Sequence, residues 1–123
     1  RSFFIHSFRR IWRYNNSYSK VYRLCYASSK GGQIIIGTDE NKIVGIVILN
    51  NTGMKDYIPE NILVYIAVDN SQRGKGFGKQ LIQKAIASVE GNIALHVEPN
   101  NPAKLLYEKL GFTNKYLEMR LTK

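Results

Sequence analysis

The chain has little of what staples a small secreted domain. It carries one cysteine, Cys25, in 123 residues, so no internal disulfide is open to it. A lone thiol of this kind suits a reducing compartment and reads first as a small buried hydrophobe rather than as a nucleophile. Only three prolines occur, and no linker or repeat divides the sequence. A single domain over residues 1–123 is therefore expected, long enough to bury a core without disulfide or metal. No apolar run approaches the roughly 20 residues of a membrane span, and the start lacks a signal-peptide pattern. These absences point to a soluble, cytoplasmic protein with no membrane partner, and the missing initial methionine leaves open whether the N-terminus is native. Two glycosylation-type triplets, Asn15-Asn16-Ser17 and Asn50-Asn51-Thr52, are then without consequence. No His, Cys and carboxylate spacing suggests a metal, and no Ser-His-Asp order is legible.

Acid is absent from the first 30 residues, which hold seven cations: Arg1, Arg9, Arg10, Arg13, Lys20, Arg23 and Lys30. The rest of the chain has eleven against nine, so the net charge of +9 is concentrated at one end. Phe4, Phe8, Trp12, Tyr14, Tyr18 and Tyr22 interleave with those cations. Basic segments with aromatics suit phosphates and stacked bases. The same rings also recur at helical spacing, which favours a buried stripe over RNA binding.

Phe4, Phe8, Ile11 and Trp12 fall on one helical face, and Tyr18, Val21, Tyr22 and Cys25 on another. Asn15-Asn16-Ser17 breaks between them, so two helices are expected before any strand. Gly31-Gly32 would end the second. Gln33–Gly37 and Lys42–Leu49 are β-branched runs joined at Thr38-Asp39-Glu40-Asn41, the pattern of a hairpin. Asn50–Glu60 is a polar loop. Ile62–Val68 is apolar throughout, as in a central strand covered on both faces. Phe77, Leu81, Ile82, Ala85, Ile86 and Val89 mark an amphipathic helix stopped by Gly91. Ile93–Val97 reads as a strand, Pro102 to about Leu110 as a short helix capped by Asn101, and Tyr116–Leu121 as a final strand.

Between the central strand and the amphipathic helix stands Gln-Arg-Gly-Lys-Gly-Phe-Gly-Lys-Gln, residues 72–80. Glycine lets a ligand approach the backbone, and a helix N-terminus offers unpaired N–H groups and partial positive charge. Arg73, Lys75 and Lys79 add full charge. The spacing excludes two familiar phosphate loops. Arg73 stands where a P-loop needs its first glycine and Gln80 where it needs Ser or Thr. Gly74, Gly76 and Gly78 are spaced by two, where a dinucleotide fingerprint needs three.

Arg73, Gly76 and Gly78 do form Arg-x-x-Gly-x-Gly, which resembles the pyrophosphate loop of the GNAT acyl-CoA N-acyltransferase superfamily. The lead-in Ile66-Ala67-Val68-Asp69-Asn70 looks like the strand end that precedes it there. A second element, running from Asn100 to Phe112, is similar to the superfamily's Asn-x-x-Ala-x-x-Leu-Tyr followed by Gly-Phe, and Asn100, Ala103, Leu106, Tyr107, Gly111 and Phe112 match. The resemblance implies an α/β fold with a mixed, mainly antiparallel sheet flanked by helices. Such folds usually open with a strand, which is not visible here unless Ser2–His6 supplies it, so one sheet edge is left in doubt and a homodimer is a possible way to cover it.

The resemblance further implies acetyl-CoA as co-substrate, no metal, and direct transfer of the acetyl group to an amine. The pyrophosphate would lie on the backbone of Arg73, Gly74, Lys75, Gly76, Phe77, Gly78 and Lys79. Pantetheine amides would pair with Ile66 and Val68, and Asn100 would orient the co-substrate. Tyr107 is the candidate acid for the departing thiolate, since an ordinary phenol, pKa about 10, keeps its proton at neutral pH. A core tyrosine bonded to some carbonyl is the alternative. The central strand holds no carboxylate, so Glu98 is the nearest candidate base, against the plainer reading of a solvated loop residue. His96 and His6 earn no role. Three functions stay open: an N-acetyltransferase acting on a small-molecule or peptide amine, a transferase acting on an aminoacyl-RNA through the basic segment, and a CoA-binding module without catalysis.

Overall fold

A tight turn organises the centre of the sheet. In this computed structural model, which describes the backbone of residues 13–15 and 22–29 and the whole of residues 31–123, β3 (Gly32–Asp39) and β4 (Lys42–Asn51) pair antiparallel. Glu40 and Asn41 join them with φ of 49° and 69°. Two successive positive φ values give the turn whose twist matches that of paired strands.

Outside β3 lie β2 (Tyr22–Ser29) and β1 (Arg13–Asn15); beyond β4 come β5 (Asn61–Val68) and β6 (Ile93–Leu95). The sheet runs in chain order, antiparallel except for β5 and β6. A parallel pair needs a crossover, and α1 (Phe77–Ser88) supplies it. After β6 comes α2 (Ala103–Lys109).

One face of the sheet packs on α1. Ile35, Val44, Val47, Leu49 and Leu63 meet Phe77, Leu81 and Ala85 in a buried cluster, with Ile66 and Val68 packed against it. The helix is fixed at both ends. At its C-terminus the Gln33 side-chain amide donates to the Ser88 carbonyl at 2.7 Å. At its N-terminus the Phe77 ring lies over Gly37 and Gly45, which are partners across β3 and β4. A Cβ at Gly37 would stand 2.1 Å from the ring, and one at Gly45 2.5 Å. Glycine inside a strand often marks such a close approach.

β5 changes sides partway. Leu49 pairs with Leu63 but Ile48 with Tyr65, which leaves Val64 as the extra residue of a bulge. Before it, Asn61 and Leu63 point into the core; after it, Ile66 and Val68 do. Val64 and Tyr65 are exposed, so the strand expected to be covered on both faces is open on one. An apolar sequence of seven residues hides that one-residue shift of parity.

Further expectations are corrected. Residues 22–29, assigned to a helix ended by Gly31-Gly32, belong to β2. Tyr22, Leu24 and Tyr26 also alternate with period two, and a short run that satisfies both periods is decided by its partner, here the edge of β3. β2, with β1 outside it, also fills the side of the sheet left in doubt. Tyr116–Leu121 alternates correctly for a strand but pairs with no strand among the described residues, and β6 stops at Leu95 rather than Val97. The helix expected over Phe4–Trp12, the alternative strand Ser2–His6, and residues 16–21 lie outside the described residues.

Gly45→Ala should destabilise the domain by about 2 kcal/mol, because the new methyl overlaps a ring that has nowhere to move. Urea unfolding should show a lower midpoint at unchanged slope, and Phe77→Leu in the same background should recover part of the loss.

Candidate acyl-CoA site

β5 and β6 are paired only through Asn61–Leu63 and Ile93–Leu95. Beyond Leu63, β5 keeps β4 on one side and has no strand on the other among the described residues. The direction of its free groups follows from alternation. Asp69 N–H donates to the Val44 carbonyl at 2.8 Å, so the backbone of Asp69 and Ala67 faces β4. That of Ile66 and Val68 faces the open side. These are the two residues expected to offer their main chain to a ligand.

At the end of this open edge the chain makes a 3-10 turn, Asn70–Gln72. Asp69 caps it, accepting from the Ser71 backbone N–H at 3.1 Å and from the Ser71 hydroxyl. The same hydrogen bonds, chiefly that from the hydroxyl, hold the Asp69 carboxyl below the usual carboxylate range. Gln72 is buried and donates to Asp39 Oδ2 at 3.4 Å, tying the turn back to the hairpin. Arg73 N–H donates to the Asn70 carbonyl at 3.2 Å. That amide is therefore already used, and the expected cradle contracts to start at Gly74.

Gly74 and Gly76 both have φ near +77°, a region that side chains rarely tolerate. No protein atom lies within 4 Å of where a Cβ would stand on either. The space beside them is open for a ligand. Gly76 is the N-cap of α1, offers no side-chain cap, and is followed by a first turn without an acid. Lys79 stands in that turn, where a cation opposes the helix dipole. A helix start that gives up both its cap and its favourable charge is matched to an anion supplied from outside. Arg73, Lys75 and Lys79 are exposed and form no ion pair among the described residues. The Phe77 side chain is the buried anchor on Gly37 and Gly45, which leaves only its backbone to the turn.

α2 closes the third side. A Cβ on Gly78 would lie 3.7 Å from Val68 and 3.8 Å from Leu106, so β5, α1 and α2 converge there. Asn101 Oδ1 accepts from Ala103 N–H at 2.9 Å and caps α2 as expected. At the other end Gly111 N–H donates to the Glu108 carbonyl and Phe112 N–H to that of Tyr107, with φ of +102° at Gly111. This is a Schellman cap, and its usual apolar contact is the Phe112 ring, T-shaped against Tyr107 at 5.9 Å. Gly111 and Phe112 thus hold the Tyr107 ring in place. Tyr107 is 7% exposed, its hydroxyl bonds to no described residue, and burial pushes its pKa up.

Glu98 and Asn100 sit in the exposed turn before α2, where the Glu98 carbonyl accepts from Asn101 N–H at 3.0 Å. Among the described residues no side-chain hydrogen bond or ion pair joins either to Tyr107 or to the glycine turn. Sequence reasoning missed Gly37, Gly45, Asp69 and Gln72, which position the site. Only the two strand glycines left a signal, as breaks in β-branched runs.

An open-sided sheet with a glycine turn at the start of a crossover helix defines an acyl-CoA transferase type of fold. The chain belongs to the acetyltransferase (GNAT) domain family, whose model matches residues 30–114. It is 32% identical over 89 residues to a 5-NmdU N-acetyltransferase of Pseudomonas phage PaMx11, covering 71% of this chain and 61% of that protein. This chain thus spans less than two thirds of that relative's length. Among solved structures, the ribosomal-protein-S18-alanine N-acetyltransferase of Escherichia coli superposes with a TM-score of 0.60 at 25% identity, covering 70% of this chain and 56% of that one. An aminoglycoside N-acetyltransferase solved with CoA gives 0.62 at 20%, covering 77% and 78%. Among the described residues no cluster of His, Cys, Asp and Glu is arranged to hold a metal ion, and no helix is long and apolar enough to cross a membrane.

Gly76→Val should weaken CoA binding at least tenfold, since the added side chain fills the open approach to the turn. Gly53→Val, at φ +72° in a loop that is equally open, carries the same backbone strain elsewhere. Calorimetric titration should therefore separate them, with Gly53→Val close to wild type in CoA affinity.

Proposed function

We propose that the protein is an acetyl-CoA-dependent N-acetyltransferase that moves the acetyl group directly to a primary amine. The observation that carries this is the meeting of the free backbone edge at Ile66 and Val68 with the uncapped helix start at Gly76. The first gives amide partners to an extended chain, and the second gives N–H groups to a pyrophosphate. Gly74, Lys75, Gly76, Gly78 and Lys79 would hold the diphosphate, and Arg73 would reach it through its side chain. The bound thioester supplies an activated acyl carbon; the remaining steps fall to the chain.

An amine attacking that carbon needs its own proton removed, the oxyanion stabilised and the thiolate protonated. Main-chain N–H groups on the open side of β5 would stabilise the oxyanion. Tyr107 would protonate the thiolate, a role supported by the burial that raises its pKa and keeps its proton across the neutral range. Glu98, solvated and one turn ahead of α2, would take the amine proton through water.

Small-molecule and peptide amines are the first acceptors to screen. The phage relative adds 5-NmdU, and the net charge of +9 favours an amine carried on a polyanion. Release of free thiol from acetyl-CoA in the presence of each amine tests the reading. Binding of CoA without thiol release on any of them would reduce the protein to a CoA-binding module.

Tyr107→Phe should lower kcat by about 10² to 10⁴ while leaving CoA affinity unchanged. Its melting temperature should match wild type, because the deleted hydroxyl bonds to no described residue. In the wild type the alkaline fall in kcat should lie above the ordinary phenol pKa of about 10, since burial favours the neutral form, and the variant should lack it. Equal turnover by both proteins assigns the proton to another group.

A further inference from the structure

Two large aromatic rings stand together in solvent. Tyr57 is 72% exposed and Tyr116 58%, yet their centroids are 5.4 Å apart in a T-shaped contact. Burial does not account for the pair, because exposed tyrosines gain little by meeting only each other.

Tyr57 is carried on a hydrogen-bonded loop. This is the loop between β4 and β5, where the Thr52 hydroxyl donates to the Pro59 carbonyl at 2.8 Å and accepts from Met54 N–H at 3.1 Å. Gly53 N–H donates to Asn51 Oδ1 at 2.8 Å, and Asp56 has φ of 67°. Tyr116 comes from the chain after α2, two residues before Glu118. The Glu118 carboxylate is 4.0 Å from His96 Nε2, and His96 directly follows the last paired residue of β6. The pair thus joins the loop that leads into β5 to the stretch that follows Tyr107 and Phe112.

Both signs of charge flank the pair: Lys55 and Lys115 stand against Asp56, Glu60 and Glu118 on the two segments that carry it. Lys115 Nζ lies 5.4 Å from the Tyr116 centroid. From Lys109 to the end the chain has Lys109, Lys115, Arg120 and Lys123 against Glu118, which is already bonded to Arg120. A nucleobase uses an exposed π face and its phosphate an adjacent cation.

We propose that Tyr57 and Tyr116, with Lys115, form a platform on which a base of the acceptor stacks, so that the acceptor amine is presented on a nucleic acid. This rests on the acetyltransfer reading above and deepens it to a substrate class. Tyr116 is the face that carries the base, Tyr57 holds that face upright by its edge, and Lys115 meets the phosphate. None of the three takes part in the proton transfers.

The probe is a fluorescein-labelled oligothymidylate of about ten nucleotides, followed by anisotropy. Tyr116→Ala should bind it about tenfold more weakly, and Tyr116→Phe should bind like wild type because stacking needs the ring and not the hydroxyl. Lys115→Gln should reduce the salt dependence by about one phosphate contact. CoA affinity, measured on the same preparations, should stay constant throughout. Equal oligonucleotide affinity in wild type and Tyr116→Ala overturns the platform, as does a loss in Tyr116→Phe as large as that in Tyr116→Ala. Loss of melting temperature in Tyr116→Ala without loss of oligonucleotide affinity also overturns it and makes the pair a staple between loop and tail. Tyr116-dependent oligonucleotide binding in a wild type that does not bind CoA overturns the acetyltransfer reading and keeps the platform.

Discussion

A ring of the size of Phe77 comes this close to a sheet only where the strands beneath it carry no side chains, and Gly37 and Gly45 provide that gap. Because the two glycines are partners across β3 and β4, the gap is two strands wide. Phe77 is the first residue of α1, so the ring fixes where the helix begins and hence where the Gly74–Gly76 turn stands above β5. Gln33 does the same at the C-terminal end with one hydrogen bond to Ser88. The position of the glycine turn therefore depends on a packing contact on the inner face of the helix.

Around that anchor, local conformational rules are broken where a ligand would compensate. α1 lacks a side-chain cap and carries a lysine in its first turn, both unfavourable in an isolated helix. β5 gives up half of its hydrogen-bonded length on one side. α2 is the opposite case. It is short, but Asn101 caps its start and the Gly111-Phe112 cap closes its end. The stabilised element carries Tyr107, and the two elements with unsatisfied groups face the place where an anion and an extended amide chain would lie. A fixed Tyr107 beside open backbone would suit direct transfer, in which donor and acceptor are held together.

Much of this was legible in the residues, and for physical reasons. The glycine turn could be read because φ near +77° restricts the choice of residue, and the α2 motif because Asn, Gly and Phe each answer a specific end of a helix. The helix 77–88 followed from its period, with Phe77, Leu81, Ile82 and Ala85 all buried. Residues 22–29 were misread since Tyr22-Arg23-Leu24-Cys25 satisfies both periods and only the neighbouring strand decides. Tyr116–Leu121 failed in the other direction, having strand alternation without a partner. The bulge at Val64 was invisible because every neighbouring residue is apolar, so a shift of one position leaves no trace. The amide of Arg73 was counted into the cradle because nothing in the sequence shows that Asn70 would claim it.

The central claim is that free backbone on β5 and at the start of α1 receives the co-substrate. Amide chemical-shift mapping during titration with CoA tests it most directly, since it reads those N–H groups themselves. The account predicts saturable shifts concentrated on Ile66, Val68, Gly74, Lys75, Gly76 and Gly78, with Arg73 N–H moving less because it stays bonded to Asn70. Saturable binding that leaves these amides in place and shifts a different region would contradict it.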